Sequence, residues 1–272
     1  MASLASYLDD LLARGRADSS RDEVAAALGL KPSALAAAIT CAINKRRLAN
    51  PRHGFYLVLR PEDQIASVPD PVEWIDPLMK HQGIDYRISL LHAAAYHGAS
   101  HQASMVFQVV VPRQLREFDL GRHRLQFLYQ APTAFSQVNQ AGLVGQMKSD
   151  ASFATVAGVE LTLLDCLRYF HKAAGINGVA QIVKDIGAKA GPRLLRKAAG
   201  AYENSAVRRP GYLLDLAGHA RQADALHGFV KRARTALPLD PAVRPLVKAL
   251  AEAVERTPRW RLLINVAVEI AE

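Results

Sequence analysis

The sequence predicts an α+β protein: an N-terminal winged helix-turn-helix, then a larger mixed domain that is mainly helical in its C-terminal third. Three observations carry this expectation. Residues 20–59 run through a helix start, a glycine stop, a second helix and a hairpin pattern. Residues 60–73, RPEDQIASVPDPVE, hold three prolines and few large apolar side chains. Beyond Gly175 the apolar spacing is helical almost throughout. The expected domains are therefore 1–62 and 71–272, with a possible subdivision near 175.

Leu4, Tyr7, Leu8, Leu11 and Leu12 recur at helical spacing and give a first helix. Ser20 followed by Glu23 is a capping box, so a second helix starts there and runs through Leu28. Gly29 supplies the left-handed residue that ends it. Pro32 suits a first helical position, and a third helix follows to about Arg46. Small Ala25, turn-forming Gly29 and core-filling Leu35 fit two helices crossing closely. Leu48-Ala49 and Phe55 to Leu59 flank Asn50 to Gly54, a hairpin with Arg52 and His53 near its tip. The expected small core is Leu8, Leu11, Val24, Leu28, Leu35, Ile39 and Phe55.

The third helix divides into two faces at 3.6 residues per turn. Leu35, Ala38, Ile39 and Ala42 share the inner face. Ser33, Ala36, Ala37, Thr40, Asn44 and Arg47 share the outer one, small and weakly polar enough to approach the floor of a major groove. No acid falls between Glu23 and Glu62, whereas Lys31, Lys45, Arg46, Arg47, Arg52 and Arg60 do. That acid-free run of cations suits contact with phosphates. The candidate DNA-binding residues are Ser33, Ala36, Ala37, Thr40, Asn44, Lys45, Arg47, Arg52 and His53. Without Arg or Gln on the outer face, the helix alone predicts modest base selectivity.

Past the proline-rich stretch, helices are expected over Trp74 to His81 and Ile88 to His97. Strands follow over Met105 to Val111, Arg124 to Tyr129 and Phe153 to Val159. Val159 to Phe170 reads as an amphipathic helix, with Asp165 pairing Arg168 at i+3. Further helices are expected over 179–186, 192–202, 212–217, 223–236 and 243–255, and a closing strand over 260–266. No period of twenty to fifty residues recurs.

Composition narrows the classes. The chain has 272 residues, half of them apolar, enough for a packed core without staples. Its two cysteines, Cys41 and Cys166, fall in helical patterns near apolar faces and read as reduced core thiols of a cytoplasmic protein. Asp9-Asp10 interrupts any N-terminal apolar run, and no apolar stretch is long enough to cross a bilayer, so no membrane partner is expected. Net charge is +9. The surplus sits mainly over residues 180–272, where sixteen Lys or Arg face nine Asp or Glu. That balance fits an anionic partner or a solvated face.

Catalytic signatures are missing. No phosphate-binding glycine loop, H-E-x-x-H or G-x-S-x-G occurs, and no D-x-D pair is present to hold two metals. His97 and His101 are four apart, but Gly98 interrupts the helix between them, so no metal or cofactor is expected. Glu160 and Asp165 would lie about 140° apart on a helix and share no face. The reading is of a non-enzyme. A second constellation is basic: Lys189, Arg193, Arg196 and Lys197 at helical intervals, then Arg208 and Arg209. If the helix restarts at Pro192, only Arg193, Arg196 and Lys197 align. These six are the candidate partner-binding residues.

Taken together, the winged pattern ending in HGFYLVLRP, YRISLLHAAAYHGASHQ with its MVFQVVVP strand, VELTLLDCLRYF, RRPGYLLDLAGH and RWRLLIN resemble the AbiE-type (abortive-infection) antitoxins of type IV toxin–antitoxin systems. The segments follow that family's order over nearly the whole chain. The resemblance implies a repressor of its own operon that binds double-stranded operator DNA through the winged helix. It also implies a C-terminal domain that counteracts a nucleotidyltransferase-like toxin. The alternative is a winged-helix regulator whose larger domain senses a small ligand. Pro210, where the family pattern would place an apolar residue, is a departure.

Overall fold

The computed structural model describes residues 3–66, 68–99, 106–149, 153–231, 233–243 and 255–270. They form a mixed α+β chain that divides into two compact units. The first joins Met1–Arg87 with Met105–Tyr129 and Gln146–Thr155; the second joins Ile88–Ser104 with Gln130–Gly145 and Val156–Glu272. Neither unit is one continuous stretch, unlike the expected division at residues 62–71.

The first unit opens with α1 (Leu4–Ala13), whose N-terminus is capped by Ser3. A short strand, β1 (Asp18–Ser20), leads into α2 (Arg21–Leu28). The capping box is formed: Ser20 Oγ accepts from Glu23 N at 3.2 Å, and Glu23 Oε2 accepts from Ser20 N at 2.7 Å. Gly29 ends α2 at φ +61°, and α3 (Pro32–Asn44) leaves at 113° to it. That is the expected glycine turn and proline start. β2 (Leu48–Arg52) and β3 (Phe55–Val58) make the hairpin, with β2 extending three residues further than its sequence pattern and absorbing a register shift between Ala49 and Arg52. Asp18–Ser20, too short to register as a strand pattern, completes a sheet of order β1-β3-β2.

The core between these helices and the sheet holds Leu8, Leu11, Val24, Leu28, Leu35 and Ile39, with Ala42, Leu48, Tyr56 and Val58. Phe55 lies elsewhere. β3 alternates, and all four of its residues are buried because both faces are covered. α4 (Pro61–Ala66) replaces part of the expected linker with helix, and α5 (Pro71–His81) packs against β1 and β3. The Phe55 and His81 rings lie 5.4 Å apart on that far side of the sheet. The rest of this unit comes from later segments.

β4 (Arg87–Ile88) and α6 (Leu90–Tyr96) follow. Next are β5 (Val106–Val111), β6 (Phe118–Leu120) and β7 (His123–Tyr129), with β5 parallel to β7 over six residue pairs and β6 antiparallel to it. α7 (Pro132–Val138), β8 (Val144–Lys148) and β9 (Phe153–Ala157) come after; the sequence pattern had marked only β9.

The second unit is built around α8 (Val159–Arg168), in which every residue from Glu160 to Leu167 is buried. It packs against α6, α9 (Gly175–Ile186), α10 (Pro192–Ala199) and α11 (Asn204–Leu216). α8 is thus a central helix and not an amphipathic surface one. Asp165, fully buried, accepts from Ser89 Oγ and Tyr202 OH at 2.7 Å each. It does not pair Arg168, which reaches Glu203 at 2.6 Å instead. α12 (Ala220–Val230) covers α10 and α11. β10 (Leu237–Pro238), β11 (Glu255–Thr257) and β12 (Leu262–Ile264) form a small sheet of order β10-β12-β11. The helix expected over 243–255 lies almost wholly outside the described residues. Cys166 is buried, but Cys41 is exposed on α3, contrary to the expected core placement.

Candidate nucleic-acid face and a basic helix

α3 presents the expected outer face. Ser33, Ala36, Ala37, Thr40 and Asn44 are exposed, while Leu35, Ile39 and Ala42 point into the core. Lys45 caps the helix and is exposed without an ion-pair partner among the described residues, as is His53 at the hairpin tip. Small side chains on a convex helix let its backbone approach a flat or grooved partner closely.

Two of the sequence-predicted cations are engaged within the chain. Arg47 pairs Asp9 at 2.5 Å, a surface contact of about 0–1 kcal/mol that a phosphate can displace. Arg52 is turned inward, which corrects its expected role as a free phosphate contact. Its guanidinium lies 4.3 Å over the Phe118 ring and donates to the Arg116 carbonyl. Burial draws its pKa below the ordinary arginine value. A planar cation on an aromatic face gains about 0.5–2 kcal/mol, and leaving it would forfeit the hydrogen bond as well. The sequence could not show that Phe118, more than sixty residues away, would provide this seat.

The basic constellation of the last third also separates. A 3-10 turn at Gly187–Lys189 breaks the helix, and α10 restarts at Pro192. Lys189 Nζ donates to the His97 carbonyl at 2.6 Å and so is a structural tie. Arg208 and Arg209 are buried, with exposures of 4% and 9%, which overturns their expected surface role. Arg208 donates to the carbonyls of Thr235 and Arg261, and Arg209 to those of Leu239 and Pro238. Desolvation lowers the pKa of both. They clip the C-terminal segment onto α11. Arg193, Arg196 and Lys197 remain: all are exposed on α10 without a partner among the described residues, while Leu195, Ala198 and Ala199 face inward. Glu160 Oε1 accepts from Gly191 N at 2.7 Å and holds the start of this helix.

Among the described residues no group of three His, Cys, Asp or Glu side chains is placed to hold a metal ion. His97 Nε2 lies 2.7 Å from the Ala157 carbonyl, and His101 lies outside the described residues. No single described helix is long and apolar enough to cross a membrane.

Comparison with known families bears on the second unit most directly. Residues 87–216 match the AbiEi antitoxin C-terminal domain. This stretch is similar to that domain. The match supports an antitoxin role in a type IV toxin–antitoxin system, and the matched stretch includes α10 and residues 112–117. No curated protein matches the chain by sequence. Among solved structures, the crystal structure of the RV2827C protein from Mycobacterium tuberculosis is similar in fold. It has 15% sequence identity and a TM-score of 0.63, over 95% of this chain and 90% of that one.

Proposed function

We propose that the chain is a DNA-binding antitoxin. In this reading residues 1–62 form a winged helix-turn-helix, α3 lies in the major groove of an operator, and the protein represses its own operon. The antitoxin domain counteracts a nucleotidyltransferase-like toxin through the exposed cations of α10. The observation that carries the proposal is the pairing, in one chain, of an AbiEi antitoxin domain with an exposed small-residue helix joined at 113° to a capped neighbour. Helix pairs at about 90–120° with a glycine turn are the usual frame of helix-turn-helix DNA binding. Asn44 and Thr40 are the polar side chains available to read bases, and Asn pairs well with adenine. Lys45, Arg47 and His53 would hold the backbone. Arg193, Arg196 and Lys197 present three charges on one face with no ion-pair partner among the described residues, which suits an acidic toxin surface.

Two variants test the division of labour. Asn44→Ala should lose about 1–3 kcal/mol at the chain's own promoter and much less on random duplex, while toxin-expressing cells are still rescued. Replacing Arg193, Arg196 and Lys197 together by Ala should leave promoter binding intact and weaken rescue of growth. Full rescue by the triple variant would remove α10 from neutralisation. Equal loss on promoter and random DNA would reduce Asn44 to a positioning contact.

A further inference from the structure

Beside the hairpin tip the first unit carries a second basic feature. An open groove of about 390 Å³ is lined by Arg52, His53, His81, Arg113, Gln114 and Arg116, with three further uncharged residues and no acid. Arg113 and Arg116 are exposed and have no ion-pair partner among the described residues. They come from the loop between β5 and β6, well past the hairpin in sequence.

The placement of that loop is built, not incidental. Arg52, on β2, donates to the Arg116 carbonyl and stacks over Phe118 at the loop's far end. Phe118 in turn stacks on Phe127 of β7, their centroids 6.1 Å apart. One hairpin arginine therefore ties the loop to the hairpin, and the loop's own two arginines extend past it. The arginine that the sequence offered as a phosphate contact is the fastening, and the contacts it fastens are Arg113 and Arg116.

We propose that this groove grips the sugar–phosphate backbone of duplex DNA alongside the hairpin, so that the antitoxin domain itself supplies part of the DNA contact. The proposal rests on the DNA-binding reading above. A hairpin next to a groove-reading helix runs along the phosphates, and guanidinium groups on its flank meet the same strand further out. Arginine suits this role through forked hydrogen bonds to phosphate oxygens, and an acid-free lining leaves that charge uncompensated. The groove adds affinity without sequence information, which fits an α3 with few base-reading side chains.

The test uses the full chain and mixed-sequence duplex DNA, since a phosphate contact needs no operator. Arg113→Gln with Arg116→Gln should reduce the slope of log K against log salt by about 1.8, the share of two phosphates. At about 0.15 M salt this corresponds to roughly 30-fold weaker binding. The paired lysine variant, Arg113→Lys with Arg116→Lys, should keep most of the slope because the charges remain. Lys45→Ala on α3 serves as the independent reference. An unchanged slope for the glutamine pair, with the slope reduced by Lys45→Ala, overturns the groove contact and leaves the DNA-binding reading standing. A lysine pair that loses as much as the glutamine pair also overturns it, since charge would not be the cause. If the unaltered chain binds no duplex at all, both readings fall together.

Discussion

At the scale of single residues, Gly211 has no room for a side chain. A Cβ there would sit 2.0 Å from Trp260 Cζ3, because the indole lies directly on the backbone of α11. Trp260 is itself 1% exposed, and its Nε1 donates to Asp215 Oδ2 at 2.6 Å. The ring cannot yield cheaply without losing that bond, so Gly211→Ala should destabilise the chain by about 1–3 kcal/mol through overpacking. Trp260→Ala should cost about 3–5 kcal/mol by leaving a cavity. The two changes share one space, so they must not add: in a Trp260→Ala background, Gly211→Ala should cost nearly nothing. Thermal melts of the four proteins measure this, and additive losses would show that the contact is not what fixes glycine at 211. Arg208 and Arg209, on the same helix, show why a dipeptide misleads. Two adjacent arginines read as surface charge, yet carbonyls of residues 235–239 and 261 take their hydrogens, and nothing local in sequence announces those acceptors.

Among elements, α2 is the one whose ends were written most plainly in the sequence. Ser20 and Glu23 close the capping box, Arg16 reaches Glu23 at 2.8 Å, and Gly29 makes the left-handed exit. Burial opposes ionisation of Glu23, but the Ser20 N–H and the Arg16 guanidinium outweigh it and hold its pKa below the ordinary value. With the folded value depressed, the folded chain binds fewer protons than the unfolded one within the carboxylate range. Glu23 therefore adds stability at neutral pH that is lost as pH falls through its folded pKa. Ser20→Ala should cost about 1 kcal/mol at pH 7. Glu23→Gln should flatten the decline of stability on acidification, and an identical acid profile for wild type and variant would show that this carboxylate is not one of the groups responsible. Local signals of this kind, caps and turns and periodicity, made α1 to α3, the hairpin, β5, β7 and α8 legible. β1, β6, α7 and β8 were not. β1 and β6 are three residues long and are specified by the strands they pair with, not by their own composition. α11 was read from Tyr212 onward because Pro210 and Gly211 argue against a helix, whereas the helix runs from Asn204 through both. The outer face of α3 was legible from helical period alone. The inward turn of Arg52 was not, since it depends on Phe118.

For the whole molecule, the decisive feature is how often the chain passes from one compact unit to the other. Each unit is assembled from three separate stretches, with changes near residues 88, 104, 130, 145 and 156. The proline-rich stretch suggested a clean cut between 62 and 71, but α5 lies beyond that cut and covers the far face of β1 and β3. Without it, Phe55 and Leu57, now 2% and 1% exposed, would meet water. Two such side chains are worth about 1.5–3 kcal/mol each, set against about 5–15 kcal/mol for a typical domain. A fragment of residues 1–62 should therefore fold marginally, with a melting transition far below that of the full chain or none at all. The complementary fragment from Pro71 onward leaves the apolar side of α5, including Trp74, Ile75, Leu78 and Met79, with part of its cover gone. It should aggregate, and fail to relieve toxicity for that reason and not for want of α10. Expressing both fragments together should restore a soluble complex, because each supplies the surface that the other lacks. Circular-dichroism melts of the separate and mixed fragments decide the matter. A cooperative, soluble 1–62 fragment with the full chain's affinity for DNA would show that α5 contributes nothing to the N-terminal helices and hairpin. Otherwise the proposed roles of α3 and α10 are to be tested by point variants and not by fragments, since no single cut divides the chain where its units divide.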